Sequence, residues 1–199
     1  MTSAEMLARA RTLLDESSAS FWTDAEVYAA LTDGQKQAAN FLMSKVQNYQ
    51  RLPEGLRPLI TSLVSSETTN DYEALPSDFW YDIDLRYGVT AGAKYPAIRR
   101  ELKDASFMIG NTYLSEDFYY TINSEYINFE AQQGDDHYYT LIYLAHPTAI
   151  SALVEPILEG NTHSPIVHWA VSQMLLKDQR PLEAQIHLKL YETEIGRTN

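Results

Sequence analysis

Phe79-Trp80-Tyr81-Asp82-Ile83-Asp84-Leu85-Arg86-Tyr87 is the stretch that decides the fold class. Phe79, Tyr81, Ile83, Leu85 and Tyr87 alternate with Trp80, Asp82, Asp84 and Arg86. A side-chain period of two belongs to a strand with one buried face. Leu75-Pro76-Ser77-Asp78 ahead of it has turn chemistry. On either side the period changes, so this strand region sits inside an otherwise helical chain.

Upstream, Met6, Leu7, Ala10, Leu13 and Leu14 fall at helical spacing, which predicts a helix over about 4–16. Thr23-Asp24-Ala25-Glu26 then fits a capping box, with each of Thr23 and Glu26 serving an amide of the other. Trp22 and Val27 fit the flanking hydrophobic staple. Val27, Leu31, Ala38, Leu42, Val46 and Tyr49 carry the stripe to about Gln50, where Arg51-Leu52-Pro53 stops it. Leu59–Val64 reads as a partner strand or a short helix, and Pro96–Ser106 as a helix or an irregular segment. Glu125–Ala131 and Tyr138–Ala145 read as strands. The intervening Gln132-Gln133-Gly134-Asp135-Asp136-His137 reads as a hairpin turn.

Downstream, Ser164-Pro165 predicts a helix start, with Val167, Ala170, Val171, Met174 and Leu175 running to Asp178. Pro181 opens a last helix, which Gly196 stops. This helix has two apolar stripes: Leu188, Tyr191 and Ile195 beside Ala184, and Leu182, Ile186 and Leu190. The two short-linked helices form an αα-hairpin. The expected architecture is α+β: a helical-bundle body with a small antiparallel sheet. It is read as one domain over 1–199, helical over about 1–58 and 150–199, with a β-rich insertion over about 59–149.

The chain has 199 residues, with 15 Lys plus Arg against 27 Asp plus Glu, for a net charge of −12. Phosphate neutralisation drives nonspecific nucleic-acid binding, so this sign argues against it, and equally against an anionic membrane surface. The chain lacks cysteine, which removes disulfides, thiolate metal sites and thiol nucleophiles. The opening MTSAEMLARARTLLDE carries charge throughout, unlike a signal peptide. No apolar run approaches the roughly 20 residues of a membrane-spanning helix. Residues 101–150 hold 8 acidic groups and 1 basic group, and also 7 of the 14 tyrosines. A β region with carboxylate-bearing loops accounts for both; a subunit-packing surface with an acidic edge is the sharper alternative.

Chemistry-bearing motifs are sparse. His137, His146, His163, His168 and His187 form no H-E-x-x-H or comparable ligand spacing. Phosphate-binding glycine loops and the G-x-S-x-G nucleophile turn are missing. Asp82 and Asp84 share a strand face with Arg86 and read as a solvated edge. Asp135, Asp136 and His137 read as a turn. No catalytic, cofactor-binding or metal-binding residue is assigned, and the chain is not read as an enzyme. The enzyme alternative is a small cytoplasmic acidic enzyme using Asp82/Asp84 or Asp135/Asp136/His137.

Residues 10–40, ARTLLDESSASFWTDAEVYAALTDGQKQAAN, resemble the opening of tailed-bacteriophage head-to-tail adaptor (connector) proteins, in which W-[ST]-D-x-E leads a long helix. Leu75-Pro76-Ser77-Asp78-Phe79 is similar to their turn-strand element. The Tyr138–Pro147 strand followed by an αα-hairpin with Arg180-Pro181-Leu182-Glu183-Ala184 also fits, while Tyr95–Tyr126 carries no part of the likeness. The resemblance implies a virion structural protein at the head–tail junction, assembled in the host cytoplasm. It would form a ring, usually of twelve copies, beneath the portal protein. Such a ring extends the DNA channel, lets viral DNA pass without specific binding and offers a platform to a tail or nozzle protein. It implies no cofactor and no membrane. The C-terminal segment would dock on the portal, with Leu188, Tyr191, Ile195 and Arg197 as interface residues and Thr23 and Glu26 as the helix cap. Another head-closure or tail-completion protein would share these features.

Overall fold

The structure, a computed structural model, describes residues 1–16, 21–46, 52–68, 72–88, 95–100, 119–130 and 137–198. These form four helices and eight strands: α1 (Ser3–Leu13), α2 (Asp24–Ser44), α3 (His163–Lys177), α4 (Pro181–Ile195), β1 (Ile60–Thr68), β2 (Tyr72–Ala74), β3 (Phe79–Gly88), β4 (Tyr95–Pro96), β5 (Ile98–Arg99), β6 (Tyr119–Ile122), β7 (Tyr126–Glu130) and β8 (His137–Ala145). The fold is α+β. The chain divides into two compact units, one of Met1–Leu59 with His146–Asn199, the other of Ile60–Ala145.

In the helical unit α1 starts earlier than its apolar stripe indicates. Thr2 and Glu5 form a capping box, so the first turn begins at Ser3. The helix ends at Leu13 instead of Glu16 because Asp15 turns left-handed, φ 59°. The Glu16 amide then reaches back to the Arg11 carbonyl at 2.9 Å. Glu16 is buried and ion-paired with Arg11 at 3.1 Å, and its carboxylate accepts from the Trp22 amide at 3.0 Å. This knot sets the approach to α2. That helix is also shorter than its stripe. The Lys45 and Val46 amides bond back three residues, to the Leu42 and Met43 carbonyls, a tight closing turn. Tyr49 and Gln50 lie outside the described residues.

Leu31 and Leu42 of α2 and Ile166, Met174 and Leu175 of α3 are fully buried, with Met6, Leu56 and Leu59. The α2–α3 approach is close at Gly34, where a Cβ would meet the Ile166 carbonyl oxygen at 2.7 Å. Two polar side chains of α2 hold the extended chain that precedes α3. Gln35 donates to the Thr148 carbonyl and accepts from the Ile157 amide, both at 2.9 Å. Thr32 accepts from the Ile150 amide at 2.9 Å. The α3 start differs from the Ser164-Pro165 expectation. A 3-10 turn over Gly160–Thr162 feeds directly into His163, so Pro165 falls at the third helical position, still within the first turn, where an amide has no helical acceptor.

The strand unit holds two four-stranded sheets, ordered β1-β8-β3-β4 and β2-β7-β6-β5. All pairs are antiparallel except β5–β6. The expected hairpin of Glu125–Ala131 with Tyr138–Ala145 does not form. Strand β7 lies between β2 and β6, while β8 lies at the centre of the other sheet between β1 and β3. Chain neighbours thus pair with distant partners: Leu141 of β8 opposes Leu63 of β1 and Leu85 of β3. A glycine-aspartate pair favours a hairpin turn, but burying the aromatic faces of β7 and β8 decides their pairing. Tyr95–Pro96 and Ile98–Arg99 are short strands where a helix or irregular segment was expected; residues 101–118 are not described.

The core of this unit is Leu85, Tyr120, Ile127, Phe129, Tyr139, Leu141 and Tyr143. Three of the clustered tyrosines are therefore packing residues. Phe129 and Tyr139 pack with ring centroids 4.7 Å apart. Strand β3 breaks the simple alternation. Register shifts between Phe79 and Tyr81 and between Asp82 and Asp84 reset the face twice, so Asp82, Leu85 and Gly88 are the buried positions.

Candidate functional site: the C-terminal helical hairpin

Helix α4 begins with Pro181, whose missing amide costs nothing at the first helical position. Gln179, left-handed at φ 58°, makes the sharp link from α3. Arg180 donates to Glu183 from Nε at 2.9 Å and fixes the first turn. The Glu183 carboxyl lies below the ordinary carboxylate range because Arg180 donates to it. The helix packs on α3 through Ala184, Tyr191 and Ile195, and the Tyr191 ring lies 5.2 Å from that of Trp169. Burial pushes the Tyr191 hydroxyl up to about 12.

This packing bears on the expected interface residues. Ile195 is fully buried and Tyr191 is 7% exposed, so neither offers surface to a partner; Leu188 is half-buried and Arg197 is exposed. The outward stripe is the other one. Leu182 is 77% exposed, Ile186 59% and Leu190 38%. Leu176, near the end of α3, is also exposed. Both stripes were visible in the sequence; burial by α3 selects which one remains free.

A second group on the same hairpin carried no sequence signal. His168 of α3 and His187 of α4 are 19 residues apart, yet their Nδ1 atoms are 3.0 Å from each other. Their spacing matches no ligand motif, and only helix packing brings them together. Glu194 Oε1 stands 3.7 Å from His168 Nε2. Burial lowers both imidazoles below their ordinary value.

At α2, the Thr23 hydroxyl accepts from the Glu26 amide at 3.3 Å and the Glu26 carboxylate accepts from the Thr23 amide at 2.9 Å. Asp82 and Asp84 of the enzyme alternative are otherwise engaged. Asp82 is no solvated edge: it is 6% exposed, ion-paired with Arg99 and accepts from the Tyr120 hydroxyl at 3.0 Å. Burial, then the Asp82 charge, raises the Tyr120 hydroxyl. Asp84 pairs with Arg86 at 2.7 Å. Asp135 and Asp136 lie outside the described residues, and His137 opens β8. Among the described residues no group of three His, Asp or Glu is placed to hold a metal ion. Among them, too, no helix is long and apolar enough to cross a membrane.

One known family matches the chain over residues 1–199. The chain belongs to the SU10 adaptor protein family. This is a family of phage head-to-tail adaptors, a membership that implies a structural place in the virion and interaction with portal and tail proteins. No curated protein matches the chain. In the adaptor, functional geometry is a matter of surfaces, and α4 turns Leu182, Ile186 and Leu190 outward.

Proposed function

We propose that this SU10 adaptor forms a ring, of twelve copies in the manner of its family's resemblance, beneath the portal, and that α4 with the following tail, Pro181 to Asn199, makes the main portal contact. The outward stripe of Leu182, Ile186 and Leu190 carries the reading. A terminal helix needs one apolar stripe to join its own unit, and Tyr191 and Ile195 supply it. Three more large apolar residues at i, i+4 and i+8 fit recognition of a helix in a groove. Covering one such side chain fully stabilises by about 1.5–3 kcal/mol, so three exposed ones are a substantial driving force.

The acidic balance fits a channel wall. Carboxylates repel phosphates and supply no cation to replace released counterions, so DNA slides past without being held. The excess is concentrated in residues 101–150.

The test is co-sedimentation of the full chain with portal rings. Leu182→Glu with Ile186→Glu is expected to weaken portal binding by at least about a hundredfold, two buried anchors at 1.4 kcal/mol per tenfold. Helical content by circular dichroism should not change, because both positions are exposed. Unchanged portal affinity would place the docking surface elsewhere.

A further inference from the structure

We propose that His168 and His187 form a proton-operated latch between α3 and α4: the hairpin is closed by a hydrogen bond between their Nδ1 atoms and opens when both rings become charged. The two nitrogens are 3.0 Å apart and the rings stack at 5.2 Å. His168 is buried and His187 half-buried. A bond between two imidazole nitrogens needs one donor and one acceptor. With Nε2–H of His168 turned to Glu194, its Nδ1 accepts and His187 Nδ1–H donates. One added proton, on His187 Nε2, leaves this bond intact. A second can go only to His168 Nδ1, where the lone pair is already in use. It would set two N–H groups head to head and two cations one ring-stack apart.

The surroundings do not offset that charge. Glu194 of α4 faces His168 and favours its charged form, but Arg9 of α1 and His187 itself oppose it. Glu183, one turn before His187, favours charge there while being held by Arg180. Burial is the largest effect on both rings and lowers both. The sign follows. An unfolded or opened hairpin binds protons at the ordinary imidazole value of about 6.5, the closed one only below it. Closure is therefore fully favoured above about pH 6.5 and loses stability as pH falls from there. Helix α4 packs on α3, so it can detach as a local unit without unpacking α1 and α2. Its outer stripe would then lose its rigid backing, and a partner bound there would be released in mild acid.

Hydrogen exchange of the full chain between about pH 7.5 and pH 5 reads the latch directly, whether or not α4 docks on a portal. Corrected for intrinsic exchange, protection of amides 184–195 should be flat above about pH 6.5. Below that it should fall by up to about a hundredfold per pH unit, the slope for two protons taken up on opening. His187→Gln keeps a donor but cannot charge, and should reduce the slope to about tenfold per pH unit at most, that of His168 alone. His163→Gln, at a buried histidine bonded to the Leu158 carbonyl, should leave it. A slope undiminished in His187→Gln, or no slope in the native chain, overturns the proposal. If His187→Gln does not fold, imidazole nitrogen NMR of the native chain decides. Two imidazolium rings with α4 amides still protected refute the latch, and loss of protection on the second protonation upholds it.

Discussion

Thr23 and Glu26 satisfy each other's backbone amides at the start of α2, and the carboxyl of Glu26 sits below its ordinary range because of the Thr23 hydrogen bonds. Losing the hydroxyl frees the Glu26 amide, one of four that a helix start must satisfy. Thr23→Ala is expected to lower unfolding stability by about 1 kcal/mol, read as a shift of the denaturant midpoint with unchanged slope. The capping box is legible because its chemistry is local: four residues suffice to define it. The same logic gives Thr2 and Glu5 at α1, where the sequence T-x-x-E stood in plain view ahead of the apolar stripe. Asp82 is the opposite case. Its burial depends on two register shifts in β3 and on Arg99 and Tyr120 arriving from other strands. Period-two reading assumes an unbroken pleat, so it placed Asp82 with Asp84 on a solvated face.

Among the elements, α2 and α3 show how packing sets tolerance. Gly34 lies where the α3 backbone passes closest, so its role is the absence of a side chain. A helical Gly→Ala change ordinarily gains up to about 1 kcal/mol from propensity. Here the new methyl would meet a backbone oxygen that cannot rotate away. Gly34→Ala is expected to destabilise by about 1–3 kcal/mol, with separation of α2 from α3 visible as increased exchange of α3 amides. The hairpin of α3 and α4 was legible as an element, since Pro181 and two apolar stripes mark it. Which stripe faces out was not. The two differ little in apolar character, and only the presence of Trp169 and α3 on one side decides it.

For the whole molecule, the strand unit enters at Ile60 and leaves at Ala145. Ile60 pairs with Leu144 across an antiparallel ladder, so entry and exit are neighbouring strand ends. An insertion with adjacent ends can be removed with little loop-closure cost. Replacing residues 60–145 by a short Gly/Ser linker should leave a helical protein that unfolds cooperatively. A chain lacking a cooperative transition by circular dichroism would show that the helical unit depends on the strands. The sequence by itself determined the α+β class, the helix caps, the αα-hairpin and the acidity, because period, capping chemistry and charge are properties of short windows. It also carried enough family likeness, through Trp22-Thr23-Asp24-Ala25-Glu26 and the final hairpin, to point to an adaptor. Tertiary structure alone decided that β7 and β8 join different sheets, that Asp82 is buried, that Leu182, Ile186 and Leu190 face out and that His168 meets His187. Each of these is settled by residues far apart in the chain competing to bury the same apolar surface, and no local window contains that competition.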